Sequence, residues 1–406
     1  MSEILPKIFV CYTRHEHDCI YGANIVEYLS SQSIASEVIE LSDTGLRPEL
    51  QRCLEEPRAG VLSFNATLDR SWLASGHFLE VAERRGLSVM QWILDHPSSR
   101  WPEFSASTAS NSCFLLNSRQ QQHYFTTYCL PGALTAVTGG VGPNRRTRVS
   151  DLDLREFVSR PLPCLIPLGL RRLRSVAEHD AACATLPPGL AGIVNTAAAS
   201  ARHDLTGPLH PHVAAALTAD AEVASPATFD RLCRLAEEAV QTFRRLHIFS
   251  IARDFPALIQ SDASAAPFAE GGVAAFASDV GMSETLERMP TCRAVLSVTP
   301  MNDMVHDRTM NAVNAGCVAI AEDNAANREI FAHGENALLF RYDDDSLAKC
   351  LDIVCNQPER AFEIARAGMK LRDDPRLRFG QFANIVDLVR RGRSHSFAAP
   401  PTSQDA

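Results

Sequence analysis

The sequence predicts an α/β protein made of two Rossmann-like domains that face each other across a cleft. Three observations lead there. The chain has 406 residues, too many for one ordinary core and enough for two. In both halves short continuous apolar runs alternate with amphipathic stretches, the pattern of parallel strands covered by helices on both faces. Between the halves lies a Gly/Pro break, Thr138–Arg148 (TGGVGPNRRTR).

In the first half, Lys7–Tyr12 (KIFVCY) reads as a buried strand and Gly22–Ser31 as a helix with Ile25, Val26 and Leu29 turned inward. Ala35–Leu41, Gly60–Asn65 and Leu87–Leu94 read as further strands, with helical patterns at Arg47–Leu54 and Leu73–Arg85 between them. Ser112–Asn117 and a following helix continue the sheet. Cys164–Gly169 (CLIPLG) opens the second domain. A long Ala/Leu/Arg-rich stretch, about 170–251, carries few strand signals and reads as several helices. The βα rhythm then returns, with strands at Ala257–Ser261, Val273–Ser278, Ala294–Val298, Cys317–Ala321 and Ala337–Phe340. Helices are expected at Ser283–Met289, Arg308–Ala315 and Asn327–Phe331, with three more reaching about Arg391. The expected division is residues 1–155, residues 156–392 with the helical insertion, and a polar, Pro-containing tail at 393–406 that is expected to be disordered.

Composition narrows the function classes. A formal net charge of −9 argues against a general nucleic-acid binder, which needs a basic face. The clusters Arg145–Arg146–Arg148 and Arg171–Arg172–Arg174 read as solvated surfaces. Twelve cysteines are scattered through apolar runs with no Cys-x-x-Cys pair, which fits reduced, buried thiols in a cytoplasmic protein rather than a disulfide framework or zinc site. The N-terminus carries no secretory pattern. No run reaches the roughly 18–20 apolar residues that span a bilayer, so membrane contact is expected to be peripheral at most.

The stretch from Arg293 to Phe340 holds the most information. It reads as a strand, a polar loop, a helix closed by Gly316 and a second buried strand; a residue without Cβ suits the left-handed helix-ending position. His306, Asp307 and Arg308 cluster where the loop enters the helix. Free backbone N–H groups and the helix dipole make that end an anion site, where Arg308 adds charge. Helical spacing places Asp307, Asn311 and Asn314 on one face, a row that solvent exposure or ligand contact would each explain.

This segment resembles the donor-binding region of GT-B glycosyltransferases, in particular the bacterial glycosyltransferase group 1 set that includes CgeB-like proteins. The resemblance rests on Asn311, Ala312, Asn314 and Gly316, followed by Val318–Ile320, on Glu329, Gly334, Asn336 and Phe340, on the acidic loop Asp343–Asp345, and on Pro358–Gly368. The His306-x-Arg308 helix start is similar to that of the CgeB-like subset. One departure is Asn311, where many relatives place a Glu that accepts hydrogen bonds from both ribose hydroxyls; Asn offers one carbonyl oxygen and no charge.

The resemblance implies a GT-B fold and transfer of a sugar from a nucleotide-sugar donor, a co-substrate rather than a cofactor, to a hydroxyl-bearing glycan, lipid or protein. The diphosphate would lie at His306, Asp307 and Arg308 and the ribose near Asn311, with Asn324, Asn327 and Glu329 bordering the sugar or nucleoside. No bound metal is expected, because Arg and helix dipoles can carry the charge of the leaving diphosphate. In the first half, Asp95 and His96 (in WILDHP) follow an apolar run, at the carboxyl end of a strand. They are the candidates for deprotonating the acceptor. His15 and His17 after the first strand, and Asn65 after the third, belong to the same edge as acceptor-side residues. Two other readings of the chain are an inactive GT-B-like protein that binds a nucleotide or partner, favoured by Asn311, and a nucleotide-sugar epimerase.

Overall fold

A computed structural model describes residues 7–56, 59–65, 67–95, 97, 112–138, 147–169, 176–187, 189–220, 224–278, 281–299, 304–343 and 345–373. His96, the arginines 145, 146, 171, 172 and 174, most of the 138–148 break, the tail 393–406 and any helix beyond 373 lie outside them. The chain forms two compact units that part between 141 and 142.

The first unit is a six-stranded parallel sheet in the order β2-β1-β3-β6-β7-β8. Its strands are β1 (Ile8–Thr13), β2 (Ser36–Leu41), β3 (Gly60–Phe64), β6 (Ser88–Ile93), β7 (Ser112–Leu116) and β8 (Leu134–Val137). The continuous apolar runs form strands because both faces are covered. Ile8, Val10, Leu62, Phe64, Met90 and Trp92 pack on one face, and Phe9, Cys11, Val61 and Val89 on the other. The helix Glu16–Ser31 starts directly after β1, six residues earlier than its apolar periodicity indicated. The helix expected over 73–85 is shorter, Phe78–Arg84. Its first part is instead a small antiparallel hairpin, β4 (Trp72–Leu73) and β5 (Gly76–His77). The hairpin turns at Gly76, whose φ of +130° no side chain adopts easily. The edge strand β8 is four residues long and only half-buried, so it shows no apolar run to read.

The second unit is also a six-stranded parallel sheet, in the order β11-β10-β9-β12-β13-β14. Its strands are β9 (Leu162–Pro167), β10 (Ala257–Ser261), β11 (Ala275–Ser278), β12 (Cys292–Ser297), β13 (Val318–Glu322) and β14 (Leu338–Phe340). Residues 147–155, which the sequence reading put in the first domain, fall in this unit: the Val149 N–H donates to the Asn314 carbonyl at 3.1 Å. The helical stretch resolves into Val176–Ala184, Leu190–Ala201, His210–Ala219 and Pro226–Ala252. The last is 27 residues long, about 40 Å, starting with Pro226 behind the capping Ser225. Ile248, Phe249 and Ala252 at its far end pack on the sheet, and the same helix packs with Leu190–Ala201 and His210–Ala219. The insertion is thus one very long crossover helix between β9 and β10, carrying shorter helices where it overhangs the sheet.

No helix among the described residues is long and apolar enough to cross a membrane. All twelve cysteines are free thiols. Burial pushes Cys113 and Cys350 up to about 12 and Cys292 to about 11, so these sulfurs behave as apolar packing atoms rather than nucleophiles.

Candidate functional site

Open parallel sheets bind ligands at the carboxyl ends of their strands, where the strand order reverses. In the second unit the order reverses between β9 and β12, and the chain leaving β12 leads to the helix Asp307–Asn314. His306 caps this helix: its Nδ1 accepts the Arg308 backbone N–H at 3.1 Å. The Asp307 carboxylate lies against the same ring. Arg308 is half-buried on the first turn, and its guanidinium has no hydrogen-bond or ion-pair partner among the described residues. A half-buried cation at a helix N-terminus, without a counter-charge, is suited to an anion.

At the other end of the helix, Gly316 adopts φ +63°, and Arg160 reaches into the same region. Its Nη1 donates to the Gly316 and Cys292 carbonyls, each at 2.8 Å, satisfying a helix end that would otherwise be buried unpaired. A Cβ on Gly316 would stand 3.0 Å from Leu152 Cδ1 and 3.1 Å from both Met369 Sδ and Val149 Cγ2. Gly316→Ala is therefore expected to destabilise the second unit by about 1–2 kcal/mol from the left-handed backbone alone, and more from the crowding. Urea unfolding measures this; an unchanged midpoint would rule it out.

Of the polar row on this helix, Asn311 and Asn314 are buried and Asp307 is half-buried. Asn311 Nδ2 donates to the Asp307 carbonyl at 2.9 Å, and its Oδ1 accepts from Thr147 Oγ1 at 3.3 Å. Asn314 Nδ2 donates to the same Thr147 hydroxyl at 2.8 Å. The two asparagines thus anchor the 147–149 segment to the helix. This is where the structure places the residue expected beside a ribose.

The carboxyl ends of β13 and β14 hold a network that the sequence reading missed. Glu322, the last residue of β13, accepts the Thr299 N–H at 2.7 Å and also the Thr299 and Tyr342 hydroxyls. The Arg244 guanidinium of the long helix lies against the same carboxylate, both side chains being fully buried. Arg244 also donates to the Thr299 carbonyl and the Tyr342 hydroxyl, each at 2.9 Å. Burial pushes the Tyr342 phenol up, with Arg244 pulling the other way, so it serves as a hydroxyl donor.

Asn324 and Asn327 complete this bracket. Asn324 Oδ1 accepts the Asn327 N–H at 2.7 Å, and its Nδ2 donates to the Met304 carbonyl at 3.2 Å. Asn327 Nδ2 donates to the Glu322 carbonyl at 2.8 Å. Glu322 and Asn324 therefore hold the two ends of the chain between β12 and His306, with Asn327 bracing both of them. Glu329 is exposed just beyond the short helix Ala325–Arg328. A signal for Glu322 was in the sequence, an acid closing an otherwise apolar strand; Arg244 gave none, being one of two adjacent arginines in a long helix.

In the first unit the order reverses between β1 and β3, and the sequence candidates gather on that edge. His15, exposed, is the N-cap of Glu16–Ser31. His17, also exposed, lies 6.4 Å from the Tyr21 ring. Asn65 follows β3 with φ +47°, a conformation Asn tolerates better than most residues. Its Oδ1 accepts the Leu94 and Asp95 N–H groups at 2.9 and 3.3 Å, and its Nδ2 donates to Asp95 Oδ2 at 3.3 Å. Asn117, after β7, braces the same turn by donating to the Leu94 carbonyl at 2.9 Å while accepting from Trp92 Nε1 at 2.8 Å. Asn65 and half-buried Asp95 are thus joined, His15 and His17 share their sheet edge, and His96 falls outside the described residues. Among the described residues no group of three His, Cys, Asp or Glu is arranged to hold a metal.

Residues 234–375 match the glycosyl transferase-like family. This span begins on the long helix and contains the whole of the Arg308 and Glu322 geometry. No curated protein matches the sequence. Among solved structures, sucrose-phosphate synthase from Thermosynechococcus elongatus is similar at 10% identity, covering 96% of this chain and 99% of that one, with a TM-score of 0.55. An alpha-glucosyltransferase solved with UDP-glucose and abasic DNA is similar at 9% identity, over 94% and 99% of the two chains, TM-score 0.52. The DNA-modifying enzyme beta-glucosyltransferase is similar at 7% identity, over 95% and 99%, TM-score 0.52. These likenesses carry the fold: two parallel-sheet α/β units of the GT-B type.

Proposed function

We propose that this protein is a glycosyltransferase that moves a sugar from a nucleotide-sugar donor to a hydroxyl-bearing acceptor. The observation that carries the reading is Arg308, half-buried and without a partner among the described residues at the helix start His306–Arg308, inside the span that matches a glycosyl transferase-like family. The His-x-Arg start is the reason to place it in the CgeB-like subset. The similar structures solved with UDP-glucose make a uridine diphosphate sugar the first donor to test.

In this reading the diphosphate lies on the backbone N–H groups at the start of Asp307–Asn314, with Arg308 beside it. As the acceptor oxygen attacks the anomeric carbon, the bond from that carbon to the phosphate oxygen breaks and its electron pair leaves with the diphosphate. Arg308 and the helix dipole stabilise the charge that develops there, so the step is assigned no metal. The acceptor proton passes to Asp95 or to His96 next to it, with Asn65 orienting Asp95. His15 and His17 are assigned to acceptor contact. Asn311 is assigned an indirect part in ribose binding, through the Thr147 segment it anchors, and Glu329 the border of the nucleoside. The acidic chain makes a glycan, lipid or protein a better acceptor than nucleic acid, and the free thiols favour the cytoplasm.

Calorimetry with nucleoside diphosphates and their sugars tests the reading. One nucleotide should bind, and Arg308→Ala should weaken it about 10- to 100-fold, the effect of losing a charge-assisted contact, with an unchanged melting curve. A folded protein that binds none of them is not a transferase. Binding without release of nucleoside diphosphate, in the presence of acceptors, would instead support a nucleotide-binding relative without activity, the reading that buried Asn311 favours.

A further inference from the structure

We propose that Trp72 is the floor of a saccharide-binding subsite on the first unit, so that the acceptor is a glycan; this rests on the transferase reading above. Trp72 is 52% exposed and Leu46, beside it, 56% exposed. They form one apolar surface because their chains pair. The Trp72 N–H donates to the Gly45 carbonyl and the Arg47 N–H to the Trp72 carbonyl, both at 2.8 Å.

The indole is held firmly although it faces water. His77, across the hairpin, stands edge-on to it at 5.0 Å and 82°, and the His77 ring is fixed by a 3.0 Å contact from Nε2 to the Asp69 carbonyl. Beneath the hairpin, the buried Arg47 guanidinium donates to the Thr67 carbonyl at 3.2 Å and Ser71 Oγ at 3.0 Å, and its Nε donates to the Thr44 carbonyl at 3.1 Å. An aromatic face ordered before binding loses little entropy on contact.

Its position suits an acceptor. The 42–46 loop leaves the carboxyl end of β2, and the hairpin follows the carboxyl end of β3. Asn65 and Asp95 lie on this same edge of the sheet. A pyranose presents a flat face of C–H groups that stacks on an indole, while its hydroxyls need hydrogen-bonding groups around the rim. Asp43 and Thr44 are exposed on the adjoining loop; the Asp43 carboxylate accepts hydrogen bonds, and the Thr44 hydroxyl, which donates to the Leu46 carbonyl at 2.8 Å, keeps a lone pair to accept one. The exposed Asp43 carboxylate disfavours a phosphate-bearing partner. A sugar fits this surface better than a nucleobase or an anionic membrane.

The test measures binding of the full-length protein to an immobilised glycan array, followed by titration of the best saccharide with tryptophan fluorescence and calorimetry. Trp72→Ala should weaken that saccharide at least about tenfold, as loss of an aromatic anchor does, and Trp72→Tyr should retain most of the affinity. Donor affinity should be unchanged in both variants. Equal saccharide binding by Trp72→Ala overturns the proposal. So does the absence of any array binding, or Trp72-dependent capture of a 13-mer DNA duplex or anionic phospholipid vesicles in its place. Failure of the transferase reading would appear separately, as a wild-type protein that binds no nucleotide sugar.

Discussion

Arg244→Met is expected to cost the second unit about 3–5 kcal/mol, the loss typical when one partner of a buried ion pair is removed. Arg244 and Glu322 are both fully buried, so the variant leaves a carboxylate in a low-dielectric interior with no counter-charge. The neutral donors that remain, Thr299 and Tyr342, cannot offset that. A double variant, Arg244→Met with Glu322→Gln, should recover much of the loss, since an amide still accepts the Thr299 N–H without a buried charge. Urea denaturation of the wild type and both variants measures this. A single-variant cost below about 1 kcal/mol, the range of exposed pairs, would mean that solvent reaches the pair. The same network tethers Thr299, on the chain leading to His306. The double variant keeps an acceptor for the Thr299 N–H but loses the Arg244 hydrogen bond to the Thr299 carbonyl, so donor affinity should fall even where stability returns, marking Arg244 as a positioning residue rather than part of the packing alone.

Asp95→Asn is expected to lower the transfer rate about 10²- to 10⁴-fold, the usual contribution of a general base, with donor affinity unchanged. The substitution keeps the shape of the side chain and an oxygen that can accept from Asn65 Nδ2, so structural loss is minimal and the missing property is the capacity to take a proton. Asn65→Ala should fall between the two, because it releases the turn that presents Asp95 without removing the carboxylate. Single-turnover rates with a saturating donor measure both variants. An Asp95→Asn rate within threefold of wild type would shift the base assignment to His96 next to it.

Much of the fold was legible because buried parallel strands announce themselves. Runs such as KIFVCY and CVAIA are apolar throughout, and one of the βα units around them, β12 to β13 with its glycine-closed helix, appears where periodicity and Gly316 placed it. Where the fold departs from local periodicity, the causes are physical. The 72–77 hairpin forms because Trp72 pairs with the 45–47 segment, a contact distant in sequence that helical periodicity cannot register. β8 is half-buried and short, so it lacks a strand's usual apolar signal. The long crossover helix could be read as helical but not as a single element of 27 residues, because its packing partners decide where it runs.

The sequence by itself determined where the buried strands end, and hence that His306–Arg308, Asn65, Asp95, His15 and His17 lie on the carboxyl edges of two sheets. Those positions follow from local periodicity and from capping chemistry, which neighbouring residues settle. Only the tertiary structure decided what each polar group is committed to. Asn311 and Asn314 share a helical face in the sequence, yet they are bound to Thr147, more than 160 positions earlier. Arg244 and Glu322 are 78 positions apart in the sequence and meet only because the long helix returns across the sheet. A buried hydrogen bond or ion pair depends on three-dimensional proximity and on the exclusion of water, and neither is written in the spacing of residues along a chain.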